Sequence, residues 1–91
     1  MSRMYVRHPD VRLTGIEGEG IVLHLGSRKY YSVSATGLDL LEWLIEPRSL
    51  EDLVQLLTDK YDVAVDEALR STQDFLRQGL QDGVVRERDE P

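Results

Sequence analysis

The sequence contains no cysteine. Disulfide bonds and metal sites built on thiolates are therefore excluded, and a reducing compartment is compatible with the composition. Histidine is also scarce, because His8 and His24 are the only two and lie in separate segments. Without a cluster of ligands a metal site has little support, and no cofactor is predicted.

Long apolar runs are missing as well. A membrane-spanning helix needs about 18 to 20 consecutive apolar residues, and no apolar stretch of this chain approaches that length. The start of the chain, "MSRMYVRHPD", lacks the apolar segment of a signal peptide. We therefore expect a cytoplasmic protein with no membrane partner.

Positive charge is in the minority, with 11 Lys and Arg against 17 Asp and Glu and a net charge of −6. This balance disfavours a nucleic-acid partner, because phosphate binding depends on Lys and Arg. Four basic residues (Arg28, Lys29, Arg70 and Arg77) could still gather into a local strip that recognises an acidic peptide. The 91 residues suffice for one small domain.

The first half of the chain alternates apolar and polar residues, which is typical of strands. Residues 1–10 are expected to form a flexible arm, since Pro9 discourages regular structure at the residue before it. Three strands are predicted, in "VRLTGI" (11–16), "IVLHL" (21–25) and "YYSV" (30–33). The short turns between them are typical of an antiparallel meander.

The second half changes after Ser34 to a helical period of about 3.6 residues. Ser34 and Ser49 are predicted to cap the first two helices. A third helix is predicted over about 65–81, although Ala64 offers it no side-chain cap. This order predicts an α+β, winged-helix-like fold, in which a three-stranded antiparallel sheet is followed by three helices.

No catalytic arrangement emerges within the predicted domain (11–86) or the charged tail that follows it (87–91). The carboxylates mostly fall on solvated helix faces, and a domain of this size seldom encloses the pair that acid–base catalysis needs. "GSRK" and "GEG" lack the spacing of a phosphate-binding loop, and no serine has an evident histidine partner. We therefore predict that the protein is not an enzyme.

Three binding functions are compatible with the pattern. A winged-helix DNA-binding regulator would place its third helix in the major groove, but Asp66, Glu67 and Asp74 make that helix acidic. A carrier protein would need a modified serine, and N-capping already accounts for Ser49. Peptide docking by strand addition needs only an exposed sheet edge with a groove beside it.

The third strand supplies such an edge, since the last strand of a meander is commonly unpaired on one side. Lys29 lies at its start, where lysine discourages unwanted pairing. Alternation places Tyr31 and Val33 on the helix side of the sheet and Tyr30 and Ser32 on the other. Ordinary packing of aromatic residues in a sheet explains the tyrosines equally well.

Four stretches of the sequence resemble one family. They are "YYSVSATG", "SLEDLVQLL", "KYDV" and "DFLRQGLQDGVV", and they lie within a span of about 20–85. This span resembles PqqD-like proteins, the recognition elements for ribosomal precursor peptides (RiPP recognition elements). The resemblance implies a winged-helix-like fold and a leader peptide held as an added strand between the third strand and the third helix. It also implies a peptide chaperone without chemistry of its own.

On this hypothesis the leader pairs with residues 29–33, and its side chains meet a wall on the third helix. Arg70 and Arg77 would rim the groove and read acidic leader residues. Core packing of the wall and a solvated face for both arginines explain the same pattern, and these alternatives stay open. The predicted peptide-binding residues are Arg28, Lys29, Tyr30, Tyr31, Ser32, Val33, Leu69, Arg70, Thr72, Gln73, Leu76 and Arg77, with Leu69, Thr72, Gln73 and Leu76 as the wall.

The resemblance also implies separate modifying enzymes as partners. A lasso peptide system, with a leader peptidase and a cyclase, is the preferred pathway. PqqD proper, the peptide chaperone of pyrroloquinoline quinone biosynthesis, which serves a radical SAM enzyme, is the alternative. A DNA-binding regulator is the third candidate. The protein is expected as a monomer or as a weak dimer formed through the same strand edge.

Overall fold

A computed structural model describes residues 3–17 and 19–89 of the chain. These residues form two antiparallel sheets and three helices. The elements in chain order are β1 (Arg3–Arg7), β2 (Val11–Ile16), β3 (Glu19–His24), β4 (Lys29–Ser34), α1 (Ala35–Trp43), β5 (Arg48–Ser49), α2 (Leu50–Lys60), α3 (Val65–Asp82) and β6 (Val85–Asp89).

The meander sheet consists of β2, β3 and β4 in that order. Val22 in its central strand lies opposite Leu13 on one side and Tyr31 on the other. Three helices follow the sheet in the chain, so the predicted α+β order is confirmed. In the turn between β2 and β3, Glu17 adopts a positive φ of 43°, while Gly18 lies outside the described residues.

The terminal sheet, in the order β5, β1, β6, differs from the sequence prediction. The arm expected over 1–10 contains a strand, because Arg3–Arg7 pairs with both β5 and β6. The tail expected over 87–91 likewise continues β6 as far as Asp89. Residues 1–2 and 90–91 lie outside the described residues. A local pattern did not indicate this sheet because its strands are far apart in the sequence.

The helix ends follow the predicted capping. The Ser34 hydroxyl accepts a hydrogen bond from the Gly37 amide at 3.2 Å, and Ser49 forms a reciprocal capping box with Asp52. The start of α3 has no side-chain cap, as expected from Ala64. Its end is terminated by Gly83, which takes the left-handed conformation at φ 76° that glycine tolerates best.

The core lies between the helices and the inner faces of both sheets. All three helices contribute leucine side chains or alanine to it, and the meander sheet contributes valines. Ile45, two residues beyond the end of α1 at Trp43, is 65% exposed. The buried apolar residues are Val11, Val22, Leu40, Leu41, Leu44, Leu53, Val54, Leu57, Ala68, Leu76, Val84 and Val85.

Candidate functional site

The outer edge of β4 is open. Within the described residues β4 pairs with β3 alone. The strand β1 (Arg3–Arg7) does not pair with this edge, because it belongs to the terminal sheet. Successive peptide groups of a strand point alternately to its two sides, so half of the β4 amides and carbonyls face outward and are free to pair with another strand.

A groove of about 220 Å³ lies beside this edge, between β4 and α3. Its walls come from the inward face of β4 and from the C-terminal half of α3, and core residues form its floor. Most of the lining is apolar. The lining residues are Val22, Tyr31, Ser32, Val33, Leu41, Phe75, Gln78, Gly79, Asp82 and Val84.

The alternation of β4 sets its side of the groove. Tyr31 and Val33 pack against the core, as the sequence predicted, and both line the groove. Tyr30 points away and is 74% exposed. Gly20 lies opposite Val33 on β3, and a Cβ there would come within 2.9 Å of the Val33 side chain. This glycine therefore lets Val33 and the start of α1 approach the sheet closely.

The opposite wall is built by Phe75, Gln78, Gly79 and Asp82. A Cβ at Gly79 would lie 2.7 Å from a methyl group of the buried Val85, so only glycine allows α3 to approach β6 this closely. Gln78 donates hydrogen bonds to the Asp82 carboxylate at 3.2 Å. Asp82 is the one carboxylate among the lining residues, so this end of the groove is negative.

The wall predicted from the sequence lies elsewhere on α3. Thr72 and Leu76 are buried in the interior, at 0% and 4% exposure. Leu69 is 37% exposed and lines a separate depression between α2 and α3, together with Val65. Gln73 is exposed. Peptide contact by these four residues stays a prediction, and the groove presents Phe75 and its neighbours on α3 instead.

A signal for the observed wall was present in the sequence. A glycine inside a helical pattern often marks a close approach of another chain segment, and Gly79 is such a position. Phe75 precedes it by one helical turn and is the one phenylalanine of the chain. Periodicity alone did not reveal the wall, because it identifies the buried arc of α3 and not the part of the arc that meets β4.

The predicted basic residues do not line the groove. Arg77 pairs with Asp74 on the exposed side of α3, and Arg70 is exposed one residue after Leu69. Arg28 lies in the turn before β4 with a positive φ of 61°, and Lys29 is exposed at the start of the strand. None of these four side chains is among the residues that form the groove.

A polar cluster joins the two helices that follow β4. Asp39 on α1 accepts a hydrogen bond from Lys60 at 2.9 Å and another from the Tyr61 hydroxyl at the end of α2. Burial alone would raise the pKa of Asp39, but the hydrogen bonds from Tyr61 and Lys60 outweigh it, so the pKa lies below its usual value. The hydrogen bond to Asp39 raises the pKa of Tyr61. The sequence did not indicate this cluster.

Neither a metal site nor a membrane helix is found in the described part of the chain. Residues 3–17 and 19–89 contain no group of three His, Asp or Glu side chains that could hold a metal ion. Over the same residues, every helix is too short or too polar to cross a membrane.

Comparisons with known proteins agree with this architecture. A family model described as Coenzyme PQQ synthesis protein D (PqqD) matches residues 19–85. A comparison with curated proteins gives no match.

Two solved structures have a similar fold. One is described as TbiB1 in complex with the TbiA(beta) leader peptide. It has a TM-score of 0.78 and 24% sequence identity, over 93% of this chain and 99% of that chain. The other, a lasso peptide synthetase B1 complexed with the leader peptide, has a TM-score of 0.74 and 20% identity, over 90% and 96%. At these identities the similarity establishes the fold alone.

Proposed function

This chain belongs to the PqqD family, and we propose that it binds the leader of a ribosomal precursor peptide as an added strand on β4. The observation that carries the proposal is the open edge of β4 beside a largely apolar groove. A preformed edge next to a groove is what strand addition requires: the backbone supplies affinity and the groove supplies selection.

The leader lies along β4 and exchanges main-chain hydrogen bonds with its outward amides and carbonyls. Each such bond contributes about 0.5 to 1.5 kcal/mol net, so several together support binding with little dependence on sequence. The groove is smaller than the about 300 to 1,000 Å³ of pockets for drug-sized ligands. It therefore takes individual leader side chains, which fit against Tyr31, Val33 and Phe75.

The charges around the groove direct which leader residues are preferred. Asp82 makes the groove end near the C-terminus of α3 negative, so a cationic or hydrogen-bond-donating leader residue is favoured there. Arg70 and Arg77 lie outside the groove and would meet only leader residues that extend past it. For Arg77, the proposed contact with an acidic leader residue requires that its side chain first separates from Asp74.

The protein is proposed to act without catalysis, by holding the precursor for a separate enzyme in the cytoplasm, where ribosomal peptides are made. The two structural neighbours are named as leader-peptide complexes, and one of them is a lasso peptide synthetase B1, which supports a leader peptidase and a cyclase as the downstream enzymes. A pyrroloquinoline quinone pathway with a radical SAM enzyme is the second candidate, because the family model carries that name.

The proposal is tested by titrating isotope-labelled protein with synthetic leaders of lasso peptide and pyrroloquinoline quinone precursors. A peptide selected from a random display library is used in parallel, so that the result does not depend on one leader sequence. We expect saturable amide shifts in 29–34 and in α3 from Phe75 to Asp82. Binding confined to other elements, or no binding by any of the peptides, would refute strand addition at β4.

Two rival functions give different results in the same experiment. A DNA-binding regulator would bind a short duplex with strong salt dependence, although α3 carries Asp66, Glu67, Asp74 and Asp82. A homodimer formed through the β4 edge would show a doubled mass before any peptide is added, and leader binding would then compete with dimerisation.

A further inference from the structure

A second and larger cavity, of about 700 Å³, lies on the terminal sheet. We call it the arginine cavity. It is formed by β1 and the residues just after it, by β6, and by the turn after α1. The residues that matter for its chemistry are Val6, Arg7, Ile45, Arg86, Glu87 and Arg88. It shares no lining residue with the groove beside β4, so the two sites can be occupied at the same time.

The arginine cavity is positive in a protein whose net charge is −6. Arg7, Arg86 and Arg88 line it against one carboxylate, Glu87, which already pairs with Arg3 at 3.7 Å. Among the described side chains, which do not include that of Asp89, Arg86 and Arg88 have no carboxylate partner. The lining of the cavity therefore has an excess of positive charge, although the chain as a whole is acidic.

Arg7 contributes to this excess from a partly buried position. Its guanidinium donates a hydrogen bond to the Leu41 carbonyl at 3.1 Å, which holds the side chain under the cavity. Burial, and then repulsion by Arg12, lower the pKa of Arg7, while the nearby Glu42 raises it. A negative group entering the cavity would meet three arginine side chains in its lining.

An exposed apolar side chain lies among these charges. Ile45 is 65% exposed, and it stands beside the half-buried Val6 at the same cavity. An aliphatic side chain surrounded by guanidinium groups suits a protein segment that combines acidic residues with an apolar anchor. Nucleic acid fits less well, because it offers phosphates but no aliphatic group to cover Ile45 and because the chain as a whole is acidic.

We propose that the arginine cavity docks an acidic segment, with one aliphatic anchor residue, of the enzyme that modifies the bound precursor. This inference rests on the proposed function for the identity of the partner, and the chemistry of the segment follows from the cavity. Because the cavity and the leader groove are separate, the protein holds the leader at one site and the enzyme at the other. The leader and the enzyme are thereby brought together, and the effective concentration of substrate rises.

The chemistry is tested with a fluorescein-labelled peptide of repeating Glu-Glu-Leu units and a matched peptide in which Gln replaces every Glu. The wild-type protein should bind the acidic peptide with amide shifts at Val6, Ile45, Arg86 and Arg88, and the Gln peptide at least tenfold more weakly. Binding should weaken as salt is raised from about 50 to 300 mM, because these charges are near the surface. Equal binding of both peptides, or shifts located at other elements, would overturn the proposal.

Variants separate the cavity from a general charge effect. The double variant Arg86→Glu with Arg88→Glu should lose at least tenfold in affinity for the acidic peptide, and Ile45→Ser about threefold to tenfold. Arg70→Glu with Arg77→Glu on α3 is the control, since it makes the same charge change away from the cavity, and it should bind as the wild type does. A loss in this control equal to that of the cavity double variant would contradict a specific site.

The final step uses the modifying enzyme itself. The double variant should bind the leader with unchanged affinity, yet its precursor should be processed at least fivefold more slowly at limiting enzyme. If leader binding fails in the wild type, the proposed function fails. If leader binding is intact and processing is unaffected by the double variant, docking at the arginine cavity fails alone. A wild-type dimer that the double variant dissociates, or tighter binding to duplex DNA than to the acidic peptide, would also reject the proposal.

Discussion

The hydroxyl of Tyr61 donates a hydrogen bond to the carboxylate of Asp39, and this contact ties the end of α2 to α1 across 22 positions of the sequence. Lys60 adds an ion pair to the same carboxylate. Since α1 follows directly from β4, the cluster fixes the helix next to the strand that we propose binds the leader.

The Asp39 cluster predicts a pH dependence of stability. The pKa of Asp39 is depressed in the folded protein, so the ionised carboxylate stabilises the fold above the ordinary value of about 3.9 and this contribution is lost as the pH falls through the lower folded-state value. Asp39→Asn should lower the free energy of unfolding on the order of 1 kcal/mol at pH 7. Urea titrations from pH 7 to 3 should show the difference from wild type shrinking below about pH 4.

The control for this series is Asp74→Asn. Asp74 is an exposed carboxylate that pairs only with Arg77 on its own helix, and exposed pairs contribute little, about 0 to 1 kcal/mol. A difference between wild type and Asp39→Asn that stays constant from pH 7 to 3 would show that the charge of Asp39 is not what stabilises the fold.

Proline substitutions in β4 test the open edge. Tyr31 and Ser32 are adjacent, so one amide faces β3 and the other faces the edge. The variant whose amide pairs with β3 should lose about 3 kcal/mol or more of stability. The other variant should have a Tm close to that of the wild type, measured by circular dichroism. It should bind the leader at least tenfold more weakly, measured by calorimetry. A well-folded proline variant at both positions with wild-type affinity would exclude pairing along β4.

The two candidate walls of α3 predict opposite results for a pair of alanine variants. Phe75 lines the groove beside β4 and Leu69 lines the depression over α2. Phe75→Ala should weaken leader binding about tenfold, which is about 1.4 kcal/mol, whereas Leu69→Ala should stay within twofold of wild type. Calorimetry at matched folded fraction measures both. The reverse result would favour the wall predicted from the sequence.

Thr72 predicts a gain in stability. Its side chain is fully buried, and its hydroxyl has no hydrogen-bond partner within the described part of the chain. Thr72→Val keeps the shape and removes the unsatisfied hydroxyl, so the free energy of unfolding should rise by about 1 to 2 kcal/mol. Thr58→Val is the control, because the Thr58 hydroxyl donates to the Gln55 carbonyl at 3.1 Å and no gain is expected. A lower Tm for Thr72→Val would mean that its hydroxyl is satisfied in solution.

The turn before β4 allows stability and binding to be separated. Arg28 holds a left-handed conformation, which costs a non-glycine residue about 1 to 2 kcal/mol. Arg28→Gly should therefore raise the Tm, while Ser27→Gly, at a neighbour without positive φ, should lower it slightly. Leader affinity should be unchanged in Arg28→Gly, because Arg28 does not line the groove. A large loss of leader affinity in Arg28→Gly would indicate that Arg28 contacts the leader, as the sequence predicted.

Local patterns were enough to predict the part of the fold that depends on neighbouring residues. The three strands of the meander sheet, the caps at Ser34 and Ser49, and the inward direction of Tyr31 and Val33 all follow from alternation and capping chemistry within a few residues. These features were predicted because the residues that determine them lie next to each other in the chain.

The terminal sheet and the groove wall could not be predicted in this way. Met4 pairs with both Ser49 and Arg88, so β1 is stabilised by partners that lie 45 and 84 residues away. Which residues of α3 form the groove wall depends on the position of α3 along its own axis relative to the sheet. The close contact between Gly79 and Val85 fixes that position. A helical period defines the rotation of a helix but not its position along its own axis.

Arg3 on β1 lies opposite Asp89 on β6, so both ends of the described chain leave the terminal sheet side by side. Val84, in the groove floor, is five residues back from Asp89, about 16 Å at 3.3 Å per residue. A tether joined at either end would consequently hold the domain by the terminal sheet. Immobilised on a sensor surface in this way, the protein would still present β4 to a flowing solution.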